Sequence, residues 1–407
     1  MTYEETLKFL FERLPMYQRD GKSAYKKDLS NTIALLKVLG NPHRKFKSVH
    51  IAGTNGKGTS AHGIAAILQT SGYKTGLYTS PHLKSFRERI KINGVEIREK
   101  WVVSFVDRIQ EALEDIQPSF FEITVAMAFD YFASEQVDIA VIETGLGGRL
   151  DSTNVIAPEA CLITNIGYDH TDMLGDTLEK IAAEKAGIIK RNTPVVIGEY
   201  HAETFPVFLD KARRENASLV FETTNQLGEL TSLPYFKRLN YAAVNALCRV
   251  LRDAGWDQIS NANIKEGYIK MEKITGFKGR FQKIGDRPTV YADVSHNTEG
   301  LREVFRSLQE LAGNAKLHVI FGTVKDKDLT PILALIPKSA SIYWTQSQVP
   351  RSLDVNELAI QGIMQGIQGE CFRDVNEALK QARHKAQSSD TILVTGSTFV
   401  VAELDEL

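Results

Sequence analysis

The sequence predicts an α/β fold in two successive blocks, and three observations support this prediction. Short β-branched runs alternate with stretches of helical period along the chain, an order typical of βαβ units around a mostly parallel sheet. A Gly-rich loop, Gly53–Thr59, joins one predicted strand to one predicted helix. Turn-forming residues at Gly285–Pro288 interrupt the alternation, which then resumes. We therefore place one domain over residues 1–285 and a second over residues 286–407.

The first block starts with two helical patterns and then alternates. Apolar residues recur at helical spacing from Leu7 to Leu14 and from Leu29 to Leu39. The predicted strands that follow are Ser48–Ala52, Lys74–Thr79, Asp138–Ile142, Cys161–Thr164 and Thr193–Ile197. One predicted helix follows the Gly-rich loop and ends near Gly72. Two further predicted helices cover Asp176–Ile189 and Leu239–Leu251.

The second block repeats the same alternation over a length usual for one domain. Its predicted strands are Thr289–Val294, Leu317–Phe321, Ser341–Trp344 and Thr391–Val394. Its predicted helices include Thr298–Leu311 and Val375–Ser388. Neither block shows an internal repeat or a low-complexity segment.

Composition excludes several classes of protein. The 407 residues carry 49 Lys and Arg against 50 Asp and Glu, a net charge of -1, whereas a general nucleic-acid binder needs a surplus of cations. The three cysteines form no Cys-x-x-Cys pair, so neither a zinc ribbon nor a thioredoxin-type site is predicted. The apolar runs are short, and the N-terminus lacks a signal-peptide layout. We expect a cytoplasmic protein with no membrane or nucleic-acid partner.

The loop Gly53-Thr-Asn-Gly-Lys-Gly-Thr59 is the sharpest local signal. Glycines let backbone N–H groups approach a polyphosphate, and the following helix turns its positive end toward the same anion. The loop departs from the usual G-x-x-x-x-G-K-[ST] spacing. A Gly-rich turn with a solvated lysine would look similar, but the strand before it and the helix after it favour nucleotide binding.

Three polar clusters follow other predicted strands, where α/β sheets collect ligands. They are Thr79–His82, Glu143–Asp151 and Asn165–His170. Together they offer a hydroxyl, a carboxylate and an imidazole beside the phosphate loop, and Mg²⁺ prefers oxygen ligands. Taken singly, His170 would fit a hydrogen-bonded loop histidine, and Glu143 would fit an exposed loop acid.

Several motifs, in order, resemble the Mur ligase superfamily, and within it the bacterial folylpolyglutamate synthase/dihydrofolate synthase branch. The resemblance runs from about residue 20 to the C-terminus. It rests on Ala52–Thr59, Thr79–Leu83, Glu143–Asn154, Ala183–Ile188, Asp293–Asn297, Phe321–Asp328 and Thr395–Ser397. It implies a P-loop ATPase domain followed by a smaller Rossmann-like glutamate-ligase domain. It also implies that ATP converts a substrate carboxylate to an acyl phosphate, which the amino group of L-glutamate then attacks.

The resemblance also assigns residues to roles in the first domain. The ATP phosphates would be held by Gly53, Thr54, Asn55, Gly56, Lys57, Gly58 and Thr59. Ser80, Glu143 and His170 match the magnesium ligands of the family. Lys185 matches a lysine that is carbamylated in the family, and a carbamate would turn this cation into a ligand for a second metal ion. Without the resemblance, Lys185 would be a helix-surface lysine.

Further matches lie nearer the end of the chain. Arg280 matches a γ-phosphate contact, although a surface arginine in a turn would fit its surroundings equally. Asp293 matches a nucleotide-contacting aspartate, and His296 and Ser397 match positions near the incoming glutamate. Asn245 matches the asparagine of a Tyr-Gln-x-x-Asn element, but here Ala242 replaces the glutamine.

The acceptor substrate is predicted from what precedes the phosphate loop. Peptidoglycan-precursor ligases carry a separate UDP-binding domain there, and the 52 residues before Gly53 are too few for a full α/β domain. Phe86 and Arg87 would suit a flat pterin ring and an acidic tail, or equally a core and a surface position. We expect a monomer acting on dihydropteroate, reduced folates or both. The alternatives are another Mur-type amino-acid ligase, a P-loop phosphotransferase and a nucleotide-sensing module.

Overall fold

The computed structural model describes residues 1–16, 28–221, 233–313, 315–325 and 327–407. The chain divides into two compact units, Met1–Leu230 with Lys237–Phe277, and Thr231–Phe236 with Lys278–Leu407. The continuous part of the second unit therefore begins shortly before residue 286, where the sequence prediction places the second domain. Each unit is built around one mostly parallel sheet, as the predicted α/β class requires.

The first unit contains an eight-stranded sheet in the order β4-β3-β2-β5-β1-β6-β7-β8. The strands are β1 (Lys47–Ala52), β2 (Thr75–Tyr78), β3 (Ile90–Ile92), β4 (Val95–Glu96), β5 (Ile139–Glu143), β6 (Ala160–Ile163), β7 (Val195–Ile197) and β8 (Leu219–Phe221). The six strands from β2 to β8 in this order pair in parallel, whereas β3 and β4 add antiparallel to the β2 edge. The middle strands are buried on both faces, because helices cover both sides of a parallel sheet.

The helices described up to Phe277 connect these strands and then follow them. They are α1 (Tyr3–Arg13), α2 (Ser30–Val38), α3 (Lys57–Thr70), α4 (Glu99–Ile116), α5 (Phe120–Ser134), α6 (Thr171–Leu174), α7 (Leu178–Ala186), α8 (Phe205–Arg214), α9 (Tyr235–Asp253), α10 (Asn261–Ile269) and α11 (Met271–Thr275). Local chemistry explains several of their starts. Thr2 with Glu5, and Ser119 with Glu122, form reciprocal capping boxes at α1 and α5.

The second unit contains a six-stranded sheet in the order β13-β12-β11-β14-β10-β9. Its strands are β9 (Gln282–Asp286), β10 (Thr289–Ala292), β11 (Leu317–Phe321), β12 (Ser341–Thr345), β13 (Gly369–Phe372) and β14 (Thr391–Thr395). Its helices are α12 (Thr298–Ala312), α13 (Thr330–Leu333), α14 (Val355–Met364), α15 (Val375–Lys385) and α16 (Thr398–Ala402). All strand pairs are parallel except β9 with β10.

The predicted strands of both blocks are confirmed within a few residues, because buried β-branched runs between turns carry a strong signal. The β3–β4 hairpin was not predicted. It covers Ile90–Glu96, where charged residues interrupt the apolar pattern and Lys91 is nevertheless buried. Among the residues that the structure describes, no helix combines the length and the apolar character needed to cross a bilayer.

Candidate functional site

The carboxyl ends of four adjacent strands bring the predicted site residues of the first unit to one edge of the sheet. The strands β2, β5, β1 and β6 are neighbours and run parallel. Ser80 follows β2, Glu143 ends β5, Gly53 follows β1 and Thr164 follows β6. Such an edge is where ligands bind in open α/β sheets.

The phosphate loop is held by the segment that follows β6. The hydroxyl of Thr54 accepts a hydrogen bond from Gly167 N at 3.0 Å, and the N–H of Asn55 donates to Asn165 Oδ1 at 2.8 Å. Thr164 Oγ1 donates to Asn55 O at 2.6 Å. These contacts fix the backbone of the loop before any ligand binds, so its N–H groups are preorganised for an anion.

Two glycines of the loop are required by its shape. Gly56 has φ +79° and forms the N-cap of α3, a left-handed conformation that suits glycine. Gly53 lies so close to Thr164 that a Cβ on Gly53 would be 3.1 Å from Thr164 Cβ and closer still to the hydroxyl. The loop therefore excludes side chains at both positions.

Two lysines converge on the carbonyl oxygen of Gly53. Lys57 Nζ donates to Gly53 O at 3.0 Å and to Thr54 O at 3.1 Å, and Lys185 Nζ donates to Gly53 O at 2.8 Å. Lys185 lies on α7 and is only 3% exposed. Burial, and next the charge of Lys57, lower the pKa of Lys185 to about 7. The sequence alone favoured a surface position for Lys185, and the structure corrects this.

The carboxylate of Glu143 is also buried, at 2% exposed, rather than lying in an open loop. Its Oε2 accepts a hydrogen bond from the N–H of Ser80 at 3.2 Å. The loop after Glu143 is fixed by Asp151, whose Oδ2 accepts from Gly145 N at 2.9 Å and from Leu146 N at 2.8 Å. These bonds hold the Glu143 carboxylate and the Ser80 backbone next to each other at the sheet edge.

Asp151 connects this loop to deeper layers of the unit. Its Oδ1 accepts from Thr153 N at 3.0 Å and from the Thr153 hydroxyl, which also contacts His50 Nε2 at 2.8 Å. Burial raises the pKa of the Asp151 carboxyl, and its hydrogen bonds oppose that rise. The adjacent N–H of Arg149 donates to Glu184 O at 2.7 Å, which ties the same loop to α7, the helix that carries Lys185.

His170 lies at the start of α6 in a left-handed conformation, with φ +50°. Its N–H donates to Asp169 Oδ1 at 3.0 Å, and its ring Nε2 lies 3.8 Å from the same oxygen. Asp169 also acts on Lys185, since its charge raises the pKa of that lysine against the effect of burial. The segment after β6 thus contributes both loop contacts and charge to the site.

The turn after Ser80 is held by a buried arginine that sequence reasoning did not identify. Arg89 is 3% exposed, and its Nε donates to His82 Nδ1 at 2.7 Å. Burial, and next the charge of Arg89, lower the pKa of His82 to about 3, so the imidazole is neutral. Phe86 is 2% exposed, and Arg87 donates to Ile97 O and Glu99. The side chain of Arg87 is therefore engaged within the protein.

Helix α9 carries the remaining predicted site residue of the first unit, Asn245, which is half-buried. Ala242 is 2% exposed, so the residue that departs from the family pattern is a buried methyl group. Earlier on the helix, Asn240 lies against the phosphate loop at Gly56. Sequence reasoning did not identify Asn240, because it lies just before the Tyr241–Asn245 element.

The second unit brings Asp293, Arg280 and His296 into one local network. Asp293 is 3% exposed, and its two oxygens accept from Phe281 N at 2.7 Å and Ser295 N at 2.8 Å. Arg280 is the residue before Phe281, and His296 Nδ1 lies 3.1 Å from Val294 O. Asp293 thus fixes the backbone on both sides, beside Arg280 and just before His296.

Both units match domain models of one known protein family. The Mur ligase middle domain matches residues 51–231, and the Mur ligase glutamate ligase domain matches residues 279–398. A dihydrofolate synthase/folylpolyglutamate synthase of Bacillus subtilis is 32% identical over 421 residues, covering 94% of this chain and 95% of that protein. The chain belongs to the dihydrofolate synthase/folylpolyglutamate synthase family of Mur ligases.

Solved structures of this family share the fold over nearly the whole chain. Escherichia coli FolC in complex with DHPP and ADP has a TM-score of 0.86 and 29% identity, covering 99% of this chain and 96% of that chain. A bifunctional folylpolyglutamate synthase/dihydrofolate synthase with Mn, AMPPNP and L-glutamate bound has a TM-score of 0.82 and 28% identity, covering 99% and 97%. The two-sheet architecture of this chain is therefore that of the synthase family.

The donor groups at the sheet edge suit the nucleotide and divalent metal of this family. The Ser80 hydroxyl and the Glu143 carboxylate are hard oxygen donors, the type that Mg²⁺ and Mn²⁺ accept. A metal ion beside the buried Glu143 carboxylate would offset its negative charge. The preorganised N–H groups of the phosphate loop complete a site for an anion beside a cation.

Thr144 lies directly after Glu143, and a substitution there tests whether its buried hydroxyl contributes to stability or activity. Its hydroxyl is buried and has no hydrogen-bond partner among the described residues, although its N–H donates to Ile51 O at 2.9 Å. We expect Thr144→Val to raise the free energy of unfolding by about 1 kcal/mol, because it removes an unpaired buried hydroxyl. Urea unfolding measures this, and activity should stay within about twofold.

Thr153→Val is the matched control for Thr144→Val. The Thr153 hydroxyl contacts both Asp151 and His50, so the same substitution there should lower the free energy of unfolding by about 1–3 kcal/mol. If Thr144→Val destabilises the protein as much as Thr153→Val does, the Thr144 hydroxyl has a partner and the reasoning is wrong.

Proposed function

We propose that this chain is an ATP-dependent ligase that adds L-glutamate to dihydropteroate, to the γ-carboxylate of reduced folates, or to both. Its family and the ligands named for the solved synthases support this proposal. The observation that carries it is the sheet edge where Lys57 and Lys185 meet on Gly53 O. Buried Glu143 lies at the same edge and contacts Ser80.

The reaction proceeds in two steps. An oxygen of the substrate carboxylate attacks the γ-phosphorus of ATP, the bond to the bridging oxygen of ADP breaks, and an acyl phosphate forms. The neutral amine of L-glutamate then attacks the acyl carbon, phosphate leaves, and the nitrogen loses a proton. The products are an amide, ADP and inorganic phosphate. Catalysis of such transfers depends mainly on positioning and on offsetting phosphate charge.

In this proposal the residues of the first unit act on the phosphates. The Gly53–Thr59 loop holds the ATP phosphates, with the N–H groups at the start of α3 binding phosphate oxygens, and Lys57 offsets charge on the β- and γ-phosphates. Ser80, Glu143 and His170 would hold Mg²⁺, which when bound would offset negative charge on the phosphates. Asn245 lies at the nucleotide.

We further assign a carbamate to Lys185. An amine reacts with CO₂ only when it is neutral, giving N-carboxylate and one proton. With a pKa of about 7, a large fraction of Lys185 is neutral near pH 7, unlike an exposed lysine. The carbamate would be an anion at the loop and could hold a second metal ion.

The residues of the second unit act on the transferred group and on glutamate. Arg280 contacts the γ-phosphate, Asp293 contacts the nucleotide, and His296 with Ser397 binds the incoming glutamate. The buried hydrogen bonds of Asp293 support this assignment, because they hold the backbone next to Arg280 in one conformation. Both units are therefore needed for turnover.

The function is tested by incubating the purified chain with ATP, Mg²⁺ and L-glutamate, with dihydropteroate or tetrahydrofolate as acceptor. We expect phosphate release that depends on an acceptor, and a product that is heavier by one glutamyl group in mass spectrometry. The same two acceptors under identical conditions show whether one or both reactions occur. Omitting glutamate is the control and should leave no amide product.

The alternatives give different masses. A phosphotransferase would add a phosphoryl group to an acceptor without forming an amide, and a nucleotide sensor would leave the acceptor unchanged. Another Mur-type ligase would release phosphate with neither pteridine. Any of these outcomes would reject the proposed glutamate ligation of folates.

A further inference from the structure

In the Tyr-Gln-x-x-Asn pattern that residues 241–245 resemble, this chain has an alanine at the glutamine position. Ala242 occupies the position, and it is 2% exposed on α9. A methyl group offers neither a hydrogen-bond donor nor an acceptor. Any polar contact between this part of α9 and the nucleotide must therefore come from another residue.

Helix α9 packs on the first unit through a defined face. A Cβ on Gly63 of α3 would lie 3.6 Å from Val244, and a Cβ on Gly198 would lie 3.1 Å from Ala243. Asn240 precedes Ala243 and Val244 by three and four residues, which places it on the same face one turn earlier. This packing directs Asn240 toward the start of α3.

The carboxamide of Asn240 lies directly over Gly56. A Cβ on Gly56 would be 3.1 Å from Asn240 Cγ and 3.2 Å from Nδ2, and closer still to Oδ1. Asn240 is half-buried, and within the described residues its amide makes no hydrogen bond. Gly56 is the N-cap of α3 and has no side-chain cap. A polar amide with unused donors thus lies at the phosphate loop.

We propose that Asn240 is a positioning residue for ATP, which binds the phosphates at Gly56 through its amide and compensates for Ala242. The inference rests on the proposed ATP site and names a residue of that site. The amide can donate two hydrogen bonds to an anion, at the positive end of α3. It also explains why residue 56 has no room for a side chain.

The test measures binding of AMPPNP with Mg²⁺ by calorimetry, and separately the KM for ATP and kcat. Asn240→Ala should weaken AMPPNP binding by about 10-fold, the value of one hydrogen bond to a charged group. Asn240→Asp has the same shape but no amide donor, and its charge opposes the phosphates, so binding should weaken by more than in Asn240→Ala. The KM for glutamate should not change.

A restoring variant and a matched control sharpen the test. Asn240→Ala combined with Ala242→Gln returns the amide to the usual position, and we expect it to recover part of the lost affinity. Asn261→Ala changes an exposed asparagine whose Oδ1 accepts a hydrogen bond from Arg252 at 3.1 Å, and this variant should bind AMPPNP as the unaltered chain does.

Three results would overturn the inference. In the first, Asn240→Ala and Asn240→Asp both bind AMPPNP with unchanged affinity. In the second, both lose affinity equally and only in proportion to a lower melting temperature. In either case Asn240 acts by packing alone. If the unaltered chain itself binds no AMPPNP, the ATP site fails, and that failure is distinct because it precedes any variant.

Discussion

Replacing Lys57 with alanine is expected to lower kcat/KM for ATP by about 1000-fold or more, the scale of removing a cation from a phosphoryl-transfer site. Lys57 Nζ lies within the phosphate loop, donating to Gly53 O and Thr54 O. It can transfer these donors to phosphate oxygens with little movement, since the loop is already held by Thr164 and Asn165. Steady-state phosphate release measures the loss.

Lys47→Ala is the control for Lys57→Ala. Lys47 starts β1, at the opposite end of the strand that leads to the loop, and it pairs with Glu159 at 2.7 Å while mostly exposed. Exposed pairs contribute little to stability, so this variant should keep near-normal turnover. Near-normal turnover in Lys57→Ala, with intact folding, would refute its phosphate role.

The phosphate loop could be predicted because its signal is local. Gly53 and Gly56 follow a buried strand, and Lys57 begins the helix that comes next. The strands were predicted for the same reason, since their β-branched runs are contiguous. What holds the loop could not be predicted, because Asn165 lies 110 residues from Asn55. Only the folded sheet, which places β6 beside β1, brings these residues together.

Arg87 and Arg89 differ in burial in a way that the local sequence does not predict. Both follow Phe86 within a charged segment, and nothing in their order separates them. The structure turns Arg87 toward Glu99 and buries Arg89 against His82. Both arginines lie in a short 3-10 turn, Phe86–Arg89, just before β3, and which of them is buried depends on how that turn packs rather than on local sequence order. Burial of a charged side chain is set by its partners rather than by its type.

The burial of Lys185 is the feature of the site that differs most from what its local sequence pattern predicts. Its helix, α7, has a polar sequence around Glu184, and isolated reasoning favours an exposed cation. The structure instead buries Lys185 against Gly53 O. Only the resemblance to the family indicated a special role, and the burial now supplies a physical reason for one, because it lowers the pKa of the amine to about 7.

Lys185→Met is therefore expected to separate activity from stability. Turnover should fall by about 100-fold or more, since methionine can neither form a carbamate nor donate to the loop. Stability in CO₂-free buffer should not fall with it. The variant removes a buried cation, and near pH 6 its melting temperature should exceed that of the unaltered chain.

The sign of the pH dependence follows from the lowered pKa. Between about pH 7 and the usual lysine pKa of about 10.4, the unfolded chain binds a proton at Lys185 that the folded chain does not. The contribution of Lys185 to the free energy of unfolding of the unaltered chain therefore rises with pH across that window. The stabilising effect of Lys185→Met should be full below pH 7 and should shrink toward pH 10. Thermal unfolding at several pH values measures it.

Labelled bicarbonate tests the carbamate directly. With ¹³C-bicarbonate, the unaltered chain should show a carbamate carbon signal that grows as pH rises through 7, because the neutral amine is the reacting form, and Lys185→Met should lack it. Activity should fall in parallel when CO₂ is removed. If activity is independent of CO₂ and no signal appears, the amine itself serves the site. The difference in melting temperature between Lys185→Met and the unaltered chain can also be compared at pH 6 and pH 9. If Lys185→Met is less favoured at pH 6 than at pH 9, partners such as Asp169 stabilise the buried charge, and the argument from burial is wrong.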